Sequence, residues 1–260
     1  MASKVKTLPN PVMVADLQAA AGLLGTSIVA SMTKGKTYEA WIMFEVALEV
    51  ASNPLSDPTA VSVKPCQHDQ QHAATFNMRG GPGHIQPATP HLSGGACHFE
   101  FSRNGRSFEL HASVEHVGAS GSEHELDLSV MPTAWIDFYR THGGGPFDGW
   151  RLIGVELKAY DGNTTLGKNL ARALVAVAGD LDPAIALPRF TRAIPPGVAH
   201  LPTHRFHHPE YWMITTAGIS DPTKAYLDWY NIEHAEQIDV PTKGTPAPVQ
   251  EIAKYICRHL

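Results

Sequence analysis

Cysteine is scarce in this sequence. Only three of the 260 residues are cysteines, Cys66, Cys97 and Cys257, and no two of them form a Cys-x-x-Cys pair. An odd number of scattered cysteines does not make a disulfide framework. The scarcity therefore excludes a disulfide-stabilised fold and favours a reducing, cytoplasmic setting.

Long apolar runs and an excess of positive charge are also missing. No apolar run reaches the ~18 residues of a membrane span, so we expect no membrane partner. Lysine and arginine number 20 against 25 aspartates and glutamates, which gives a formal net charge of −5. A protein that held nucleic acid by its basic surface alone would be expected to be basic. A nucleic-acid enzyme can still be acidic where bound metal ions supply the positive charge.

The chain does contain enough apolar sequence for a sizeable core. Its 260 residues are 43% hydrophobic, and we expect a single domain over 1–260. Thr37 is the predicted N-cap of a first helix and Gly179 the predicted end of a second. The predicted elements are, in order, a helix at 37–51, a hairpin at 97–118, strands at 124–131 and 152–160, a helix at 163–180, a strand at 211–218 and a helix at 221–238. This order predicts an α/β fold with a mixed central sheet flanked by helices.

The predicted hairpin turns at Asn104-Gly105, a dipeptide typical of two-residue hairpin loops. Its second strand alternates between an apolar and a polar face. The apolar face carries Phe108, Leu110, Ala112 and Val114, and the polar face carries Glu109, His111, Ser113 and Glu115. The same alternation along 124–131 turns Leu126, Leu128 and Val130 towards the core and Asp127 away from it.

Residues 152–160, LIGVELKAY, carry an acid and a base inside an apolar strand. Because side chains alternate along a strand, Ile153, Val155 and Leu157 would fill one face, and Gly154, Glu156 and Lys158 would share the other. Buried charges are costly unless they are paired or bind something. An isolated E-x-K fits a structural ion pair, so its meaning depends on what the rest of the chain places beside it.

Asp127 lies on a strand whose polar face matches that of Glu156. If the two strands are neighbours in one sheet, the carboxylates can converge, and they then repel each other unless a cation lies between them. Hard oxygen ligands of this kind suit Mg²⁺ or Mn²⁺. A neighbouring lysine can hold a water molecule or stabilise the charge that develops on a phosphoryl group. Together these groups fit metal-assisted phosphodiester hydrolysis.

These residues resemble the motif of the PD-(D/E)XK nuclease superfamily, with Asp127 in ELDLSV on one strand and Glu156-Leu157-Lys158 on the next. The family core is a helix, three strands, a helix and a strand. The resemblance therefore implies a restriction-endonuclease-like fold over about residues 37–218, followed by a C-terminal helical extension. The sequence departs from the motif at Leu126, where the family has proline.

The resemblance also implies a role for each residue of the motif. Asp127 and Glu156 would be metal ligands, and the backbone carbonyl of Leu157 would be another. Lys158 would orient the attacking water or stabilise the transition state. Asp148, in the Gly-rich loop before the strand, is a rival for the role of the first acid, and we rank it second because it does not lie on a strand face.

A further glutamate often lies on the first helix of this family. The segment KTYEAWIMFEVALEV is similar to that helix, and Glu39 shares a helical face with apolar residues. Glu45 and Glu49 are spaced for a solvated face. The resemblance therefore implies that Glu39 helps to hold a metal or a water molecule.

The implied function is that of a Mg²⁺-dependent endonuclease acting on nucleic acid, with DNA the favoured substrate. Lys168 and Arg172 lie one helical turn apart and are candidate nucleic-acid-binding residues, although a solvated helix face explains them equally simply. No separate recognition domain is evident. Specificity is then expected to come from a partner protein or from a homo-oligomer.

Two other functions stay open. The same fold could serve as an inactive subunit that binds nucleic acid or a partner protein. The 15 histidines also suggest a zinc-binding protein, for which no group has a recognised ligand spacing. The candidate groups are His204, His207, His208 and Glu210, and separately Cys66, His68, Cys97 and His98.

Overall fold

The structure is a computed structural model that describes residues 9–28, 32–57, 59–89, 95–160, 164–186, 209–239 and 244–260. The helices are α1 (Pro11–Leu23), α2 (Lys34–Ser52), α3 (Thr133–Thr141), α4 (Lys168–Leu181), α5 (Asp221–Trp229) and α6 (Ala247–His259). The strands are β1 (Ser27–Ile28), β2 (Ser62–Cys66), β3 (Thr75–Phe76), β4 (His98–Arg103), β5 (Arg106–Val117), β6 (Glu123–Pro132), β7 (Ile153–Lys158), β8 (Thr165–Leu166), β9 (Glu210–Thr215), β10 (Gly218–Ile219) and β11 (Ile232–Ala235).

Within the described ranges, one mixed sheet contains seven strands in the order β11-β9-β7-β6-β5-β4-β2. Strands β2, β4, β5, β6 and β7 pair in antiparallel fashion, whereas β7, β9 and β11 run parallel. Helix α4 lies in the connection between β7 and β9, as a parallel crossover requires. The predicted α/β fold with a mixed central sheet flanked by helices is confirmed.

The hairpin between β4 and β5 turns where the sequence predicted. Asn104 and Gly105 both have positive φ, 51° and 77°. A turn with positive φ at both central residues matches the right-handed twist of the flanking strands, and asparagine and glycine adopt this conformation at low cost.

One face of the sheet is covered by α2, which packs between α1, α6 and the strands. The side chain of Thr33 accepts a hydrogen bond from the amide of Lys36 and caps the helix, so the cap lies four residues before the predicted one at Thr37. The helix ends at Ser52, and its C-cap Asn53 adopts the left-handed conformation. Ile153, Val155 and Leu157 of β7 belong to the same buried cluster as α2, as expected.

The opposite face of the sheet has two smaller buried clusters. Around β9, Tyr211 and Met213 pack against α4 and α5. Around β5, Val114 packs with Met131, Ile136 of α3 and Phe147. Both sides of the sheet are therefore covered, which explains why its strands contain so few exposed residues.

Three elements differ from the sequence prediction. The helix predicted at 163–180 begins at Lys168 and runs through Gly179 to Leu181, because Thr165 and Leu166 pair with β10 instead. Asn163, the first residue of the predicted helix, lies outside the described residues. The helix predicted at 221–238 ends at Trp229, and its second half forms the edge strand β11. Helix α3 was not predicted. Beyond residue 218 the described chain contains the helices α5 and α6 and the strand β11, which belongs to the central sheet.

The side chains of β5 change face at Ser113, which the alternation did not predict. Leu110 and Ala112 face α2, but Val114 lies in the cluster on the other side of the sheet. Ser113 has a φ of 50°, in the left-handed region, and this local distortion reverses the alternation. On β6, Leu128 faces α2 whereas Leu126 lies against Gly154 and Tyr211, so the predicted common face of Leu126 and Leu128 is wrong.

No helix among the described residues is both long and apolar enough to cross a membrane.

Candidate functional site

Strands β6 and β7 separate at the position of Asp127. Their pairing runs from Val130–Ile153 to Leu128–Val155 and stops there. Beyond this point the amide of Leu157 donates a hydrogen bond to Asp127 Oδ2 at 2.6 Å. A carboxylate thus takes the place of a ladder carbonyl, and it lies directly beside the Glu-Leu-Lys segment of β7.

Lys158 contacts both acids of the predicted motif. Its Nζ lies 2.5 Å from Glu156 Oε1 and 3.4 Å from Asp127 Oδ2. Burial works against the charge of Lys158, but Asp127 and Glu156 raise its pKa above the usual value, so it is a cation. Burial and the nearby Asp127 raise the pKa of Glu156. The structure therefore brings the three residues together in one partly exposed cluster.

The Leu157 peptide faces the same cluster. In a strand, the N–H and C=O of one residue point to the same side. Since the Leu157 N–H points at Asp127, its carbonyl oxygen is directed to that side of β7 as well. This orientation is what the predicted role of the Leu157 carbonyl as a metal ligand requires, and the role itself stays a prediction.

Glu39 approaches the cluster from α2. It is only 8% exposed, and burial together with the carboxylate of Asp127 raises its pKa to about 7, against the opposing effect of Lys36. Glu45 lies near Asp16 of α1 instead, where burial and Asp16 raise its pKa. Of the glutamates on α2, Glu39 is therefore the one that the fold directs towards Asp127.

Gly154 allows Tyr211 to pack close to the backbone of β7. A Cβ atom at Gly154 would lie 2.9 Å from the Tyr211 ring and 3.0 Å from Leu126.

We expect Gly154→Ala to lower the free energy of unfolding by about 1–3 kcal/mol, because the ring must shift within a packed region. Urea unfolding measures this change. Gly179→Ala is the matched control, since nothing lies within 4 Å of its Cβ position, and in a helix it should stabilise the chain slightly. Equal stability of the two variants would contradict the close packing.

The other predicted residues lie apart from this cluster. Lys168 and Arg172 are exposed on α4, and within the described ranges neither makes a hydrogen bond or ion pair with Asp127 or Glu156. Asp148 is exposed in the loop before β7, where its backbone amide donates a hydrogen bond to Tyr139 Oη. Their predicted functional roles gain no support from the geometry.

A second polar cluster lies buried beneath α3. Glu109 is completely buried and accepts hydrogen bonds from His111 Nε2 at 2.7 Å and from Arg140 Nη1 and Nη2 at 2.8 and 2.5 Å. Gln70 donates to the same carboxylate at 2.7 Å, and His98 Nε2 lies 3.2 Å from it. Burial alone would raise the pKa of Glu109, but His98, His111 and Arg140 together hold it well below its usual range.

The ligand atoms of His98, Glu109 and His111 all lie within 4.8 Å of one another, so one metal ion could contact them. Burial lowers the pKa of both histidines, against the opposing effect of Glu109. Arg140 Nη2, however, contacts both Glu109 Oε2 and His98 Nε2. An ion at this position would have to displace a guanidinium that already neutralises the carboxylate, so the contacts favour a buried ion pair.

The candidate zinc group of Cys66, His68, Cys97 and His98 is not assembled in the described part of the chain. Cys97 faces the α2 side of the sheet, whereas His98, the next residue, faces Glu109, because neighbours alternate along a strand. Among the described residues, neither Cys66 nor Cys97 belongs to a group whose ligand atoms converge. Glu210 begins β9, and His204, His207 and His208 lie outside the described residues.

Sequence reasoning missed Lys36, Ser113 and the network around Glu109. The alternation along β5 did place Glu109 and His111 on one face, but nothing in the sequence showed that helix α3 would bury that face.

Comparison with protein-family models, with curated proteins and with solved structures finds no match for this chain. The function is therefore argued from the site itself.

Proposed function

We propose that this chain is a divalent-metal-dependent endonuclease of restriction-endonuclease-like fold that hydrolyses phosphodiester bonds, with DNA as the favoured substrate. One observation carries the proposal. Asp127, Glu156 and Lys158 converge where β6 and β7 separate, within 3.4 Å of the lysine nitrogen. Two acids and a lysine in this arrangement are the groups that metal-assisted phosphodiester hydrolysis uses.

The order of elements supports the same proposal. Helix α2 precedes three antiparallel strands, β5, β6 and β7, and α4 then leads to β9, which is parallel to β7. This order is similar to the helix, three strands, helix and strand of the PD-(D/E)XK superfamily, which supports the proposal. A fold alone does not establish an activity, so the argument rests on the residues of the site.

In the proposed mechanism, Asp127, Glu156 and the Leu157 carbonyl would hold Mg²⁺ or Mn²⁺, whose oxygen-ligand chemistry they fit. The bound ion would supply charge neutralisation at the phosphoryl oxygens and activation of a water molecule. Lys158 would orient that water or stabilise the charge of the transition state. Glu39 would bind a water molecule or the ion from the α2 side.

The cluster has the charge that this mechanism needs. Asp127, Glu156 and Lys158 are 13%, 24% and 27% exposed, so solvent and substrate can reach them. The two acids raise the pKa of Lys158, and Asp127 and burial raise that of Glu156. Carboxylates that repel each other in this way become fully ionised when a cation binds between them.

The test is the cation dependence of cleavage. We expect the purified chain to cut supercoiled plasmid DNA in Mg²⁺ or Mn²⁺ and not in EDTA, because without the ion the two acids only repel a phosphate. Single-stranded DNA and RNA of matched length show which nucleic acid it prefers. Gel analysis of the initial rates measures the effect.

The Asp127→Asn variant shows whether the activity belongs to this chain. Cleavage should disappear in this variant and persist in Asp137→Asn. Asp137 is an exposed aspartate on α3 that forms an ion pair with Arg140. If folded parent protein cut no nucleic acid in any divalent cation yet bound DNA or a partner, the inactive-subunit function would replace the proposal.

A further inference from the structure

Lys36 connects α2 to β5 next to the proposed catalytic cluster. Its Nζ lies 2.5 Å from Glu39 Oε2, one helical turn along α2, and 2.6 Å from Ser113 Oγ on β5. The side chains of Lys36 and Glu39 are 19% and 11% exposed, so the contact is mostly shielded from water. A lysine held by a carboxylate on one element and a hydroxyl on another fixes the distance between those elements.

Ser113 occupies the one position of the β5–β6 ladder that faces Asp127. The pairs Ala112–Leu128 and Val114–Leu126 flank it, while Ser113 and Asp127 themselves do not pair. Ser113 is fully buried and has a φ of 50°, a conformation that non-glycine residues rarely adopt in a strand. Strained backbone of this kind persists where the surroundings hold it in place, and Lys36 supplies one such contact.

We propose that Lys36 is a positioning residue that aligns Glu39 with Asp127 for binding of a divalent cation, and that it does so by holding Ser113 in its left-handed conformation. The proposal rests on the proposed function of the same site. Lys36 contacts no ligand itself. It acts through Glu39 and through the backbone of β5 opposite Asp127.

An ordinary surface ion pair would not have this effect. A lysine and glutamate three residues apart on an exposed helix contribute little to stability and nothing to a distant site. Lys36 differs because it has a second partner, Ser113, on another element, and because the carboxylate of Glu39 is near enough to Asp127 for the two charges to repel. Lys254 and Glu251 on α6 form the matched exposed pair, with 2.8 Å between Nζ and Oε1.

The experiment compares Lys36→Met, Lys36→Arg and Lys254→Met with the parent. Mn²⁺ binding is measured by calorimetry, and the Mg²⁺ concentration for half-maximal DNA cleavage is measured in parallel. We expect Lys36→Met to weaken Mn²⁺ binding about 10–100-fold, as the loss of groups that orient metal ligands does. Lys36→Arg should restore most of the affinity, because it keeps the charge and the reach, and Lys254→Met should bind like the parent.

Ser113→Ala provides a second variant should Lys36→Met fail to fold. Alanine removes the hydroxyl that Lys36 contacts and does not favour the left-handed conformation, so Mn²⁺ binding should weaken in the same direction. Parent-like Mn²⁺ affinity in folded Lys36→Met, or in folded Ser113→Ala where Lys36→Met does not fold, would overturn the positioning role. A parent that bound no Mn²⁺ would overturn it too. A parent that bound Mn²⁺ in a Lys36-dependent way but cut no nucleic acid would overturn only the nuclease function.

Discussion

Lys158→Ala is expected to lower the Mg²⁺-dependent cleavage rate by about 10²–10³. Lys158 is proposed to act on the water or on the developing negative charge, so its loss affects the transition state. The core should be unaffected, because Val155 and Leu157 fill it from the other face of β7. The initial rate of plasmid cleavage at saturating Mg²⁺ measures the effect.

The stability of this variant has to be measured with and without the ion. In EDTA, Lys158→Ala leaves Asp127 and Glu156 facing each other without a cation, which lowers the thermal midpoint. In Mg²⁺, the ion replaces the missing charge, and we expect a midpoint within about 4 °C of the parent. Lost rate at near-parent stability in Mg²⁺ is the signature of a catalytic lysine.

Lys224→Ala is the matched control. Lys224 forms an ion pair with Glu236 and has a similar side-chain exposure, 29% against 27% for Lys158. Among the described residues Glu236 is its ion-pair partner, and Asp221 adds a weaker electrostatic effect. The loss of Lys224 should leave cleavage unchanged. If Lys158→Ala behaved in the same way, with a lower midpoint and undiminished cleavage, Glu156 and Lys158 would be a salt bridge and nothing more.

The sequence predicted the parts of the fold that local patterns determine. Asn104-Gly105 specified the hairpin, because both residues accept positive φ. The alternation in LIGVELKAY specified which face of β7 is buried, since a strand with one apolar face has one stable orientation. The convergence of Asp127 with Glu156 and Lys158 followed from the order of the strands, as the two that carry them are neighbours.

Features that depend on contacts between distant segments were not predictable. Val114 reads as a core partner of Leu110, but the left-handed conformation of Ser113 moves it to the other face. Ser113 carries no sign of this in a single sequence, since glycine or asparagine is the usual residue there. From the sequence, Lys36 would be a surface lysine near the start of a helix. Its contact with Ser113 depends on the approach of β5 to α2, which the sequence does not show.

The same limit explains the buried ion pair beneath α3. The alternating pattern of β5 predicted a polar face at Glu109 and His111, which in isolation describes a solvated strand. Helix α3 was not predicted, and it brings Arg140 over that face. Once Arg140 and Glu109 are both buried, each is needed to keep the other from being an unpaired charge.

Glu109→Gln is therefore expected to lower the free energy of unfolding by about 3–5 kcal/mol. The change leaves the guanidinium of Arg140, whose side chain is only 3% exposed, without its buried carboxylate partner, and its other partner, Asp137, is largely exposed to solvent. Asp137→Asn is the matched control, because Asp137 contacts the same arginine at 2.9 Å but is 52% exposed. Its loss should cost about 0–1 kcal/mol. Urea unfolding of both variants measures the difference.

Removing the charges of both Glu109 and Arg140 distinguishes a buried ion pair from a metal site. In Glu109→Gln combined with Arg140→Met, no unpaired charge stays buried, so the double variant should be more stable than Glu109→Gln alone. A double variant that was less stable by the sum of the two single losses would contradict the pairing.

One equivalent of zinc in the purified parent, lost in Glu109→Gln, would show that His98, Glu109 and His111 bind a metal and that Arg140 only supports it. Because Arg140 already contacts both Glu109 Oε2 and His98 Nε2, we expect the ion pair to account for the stability of this region.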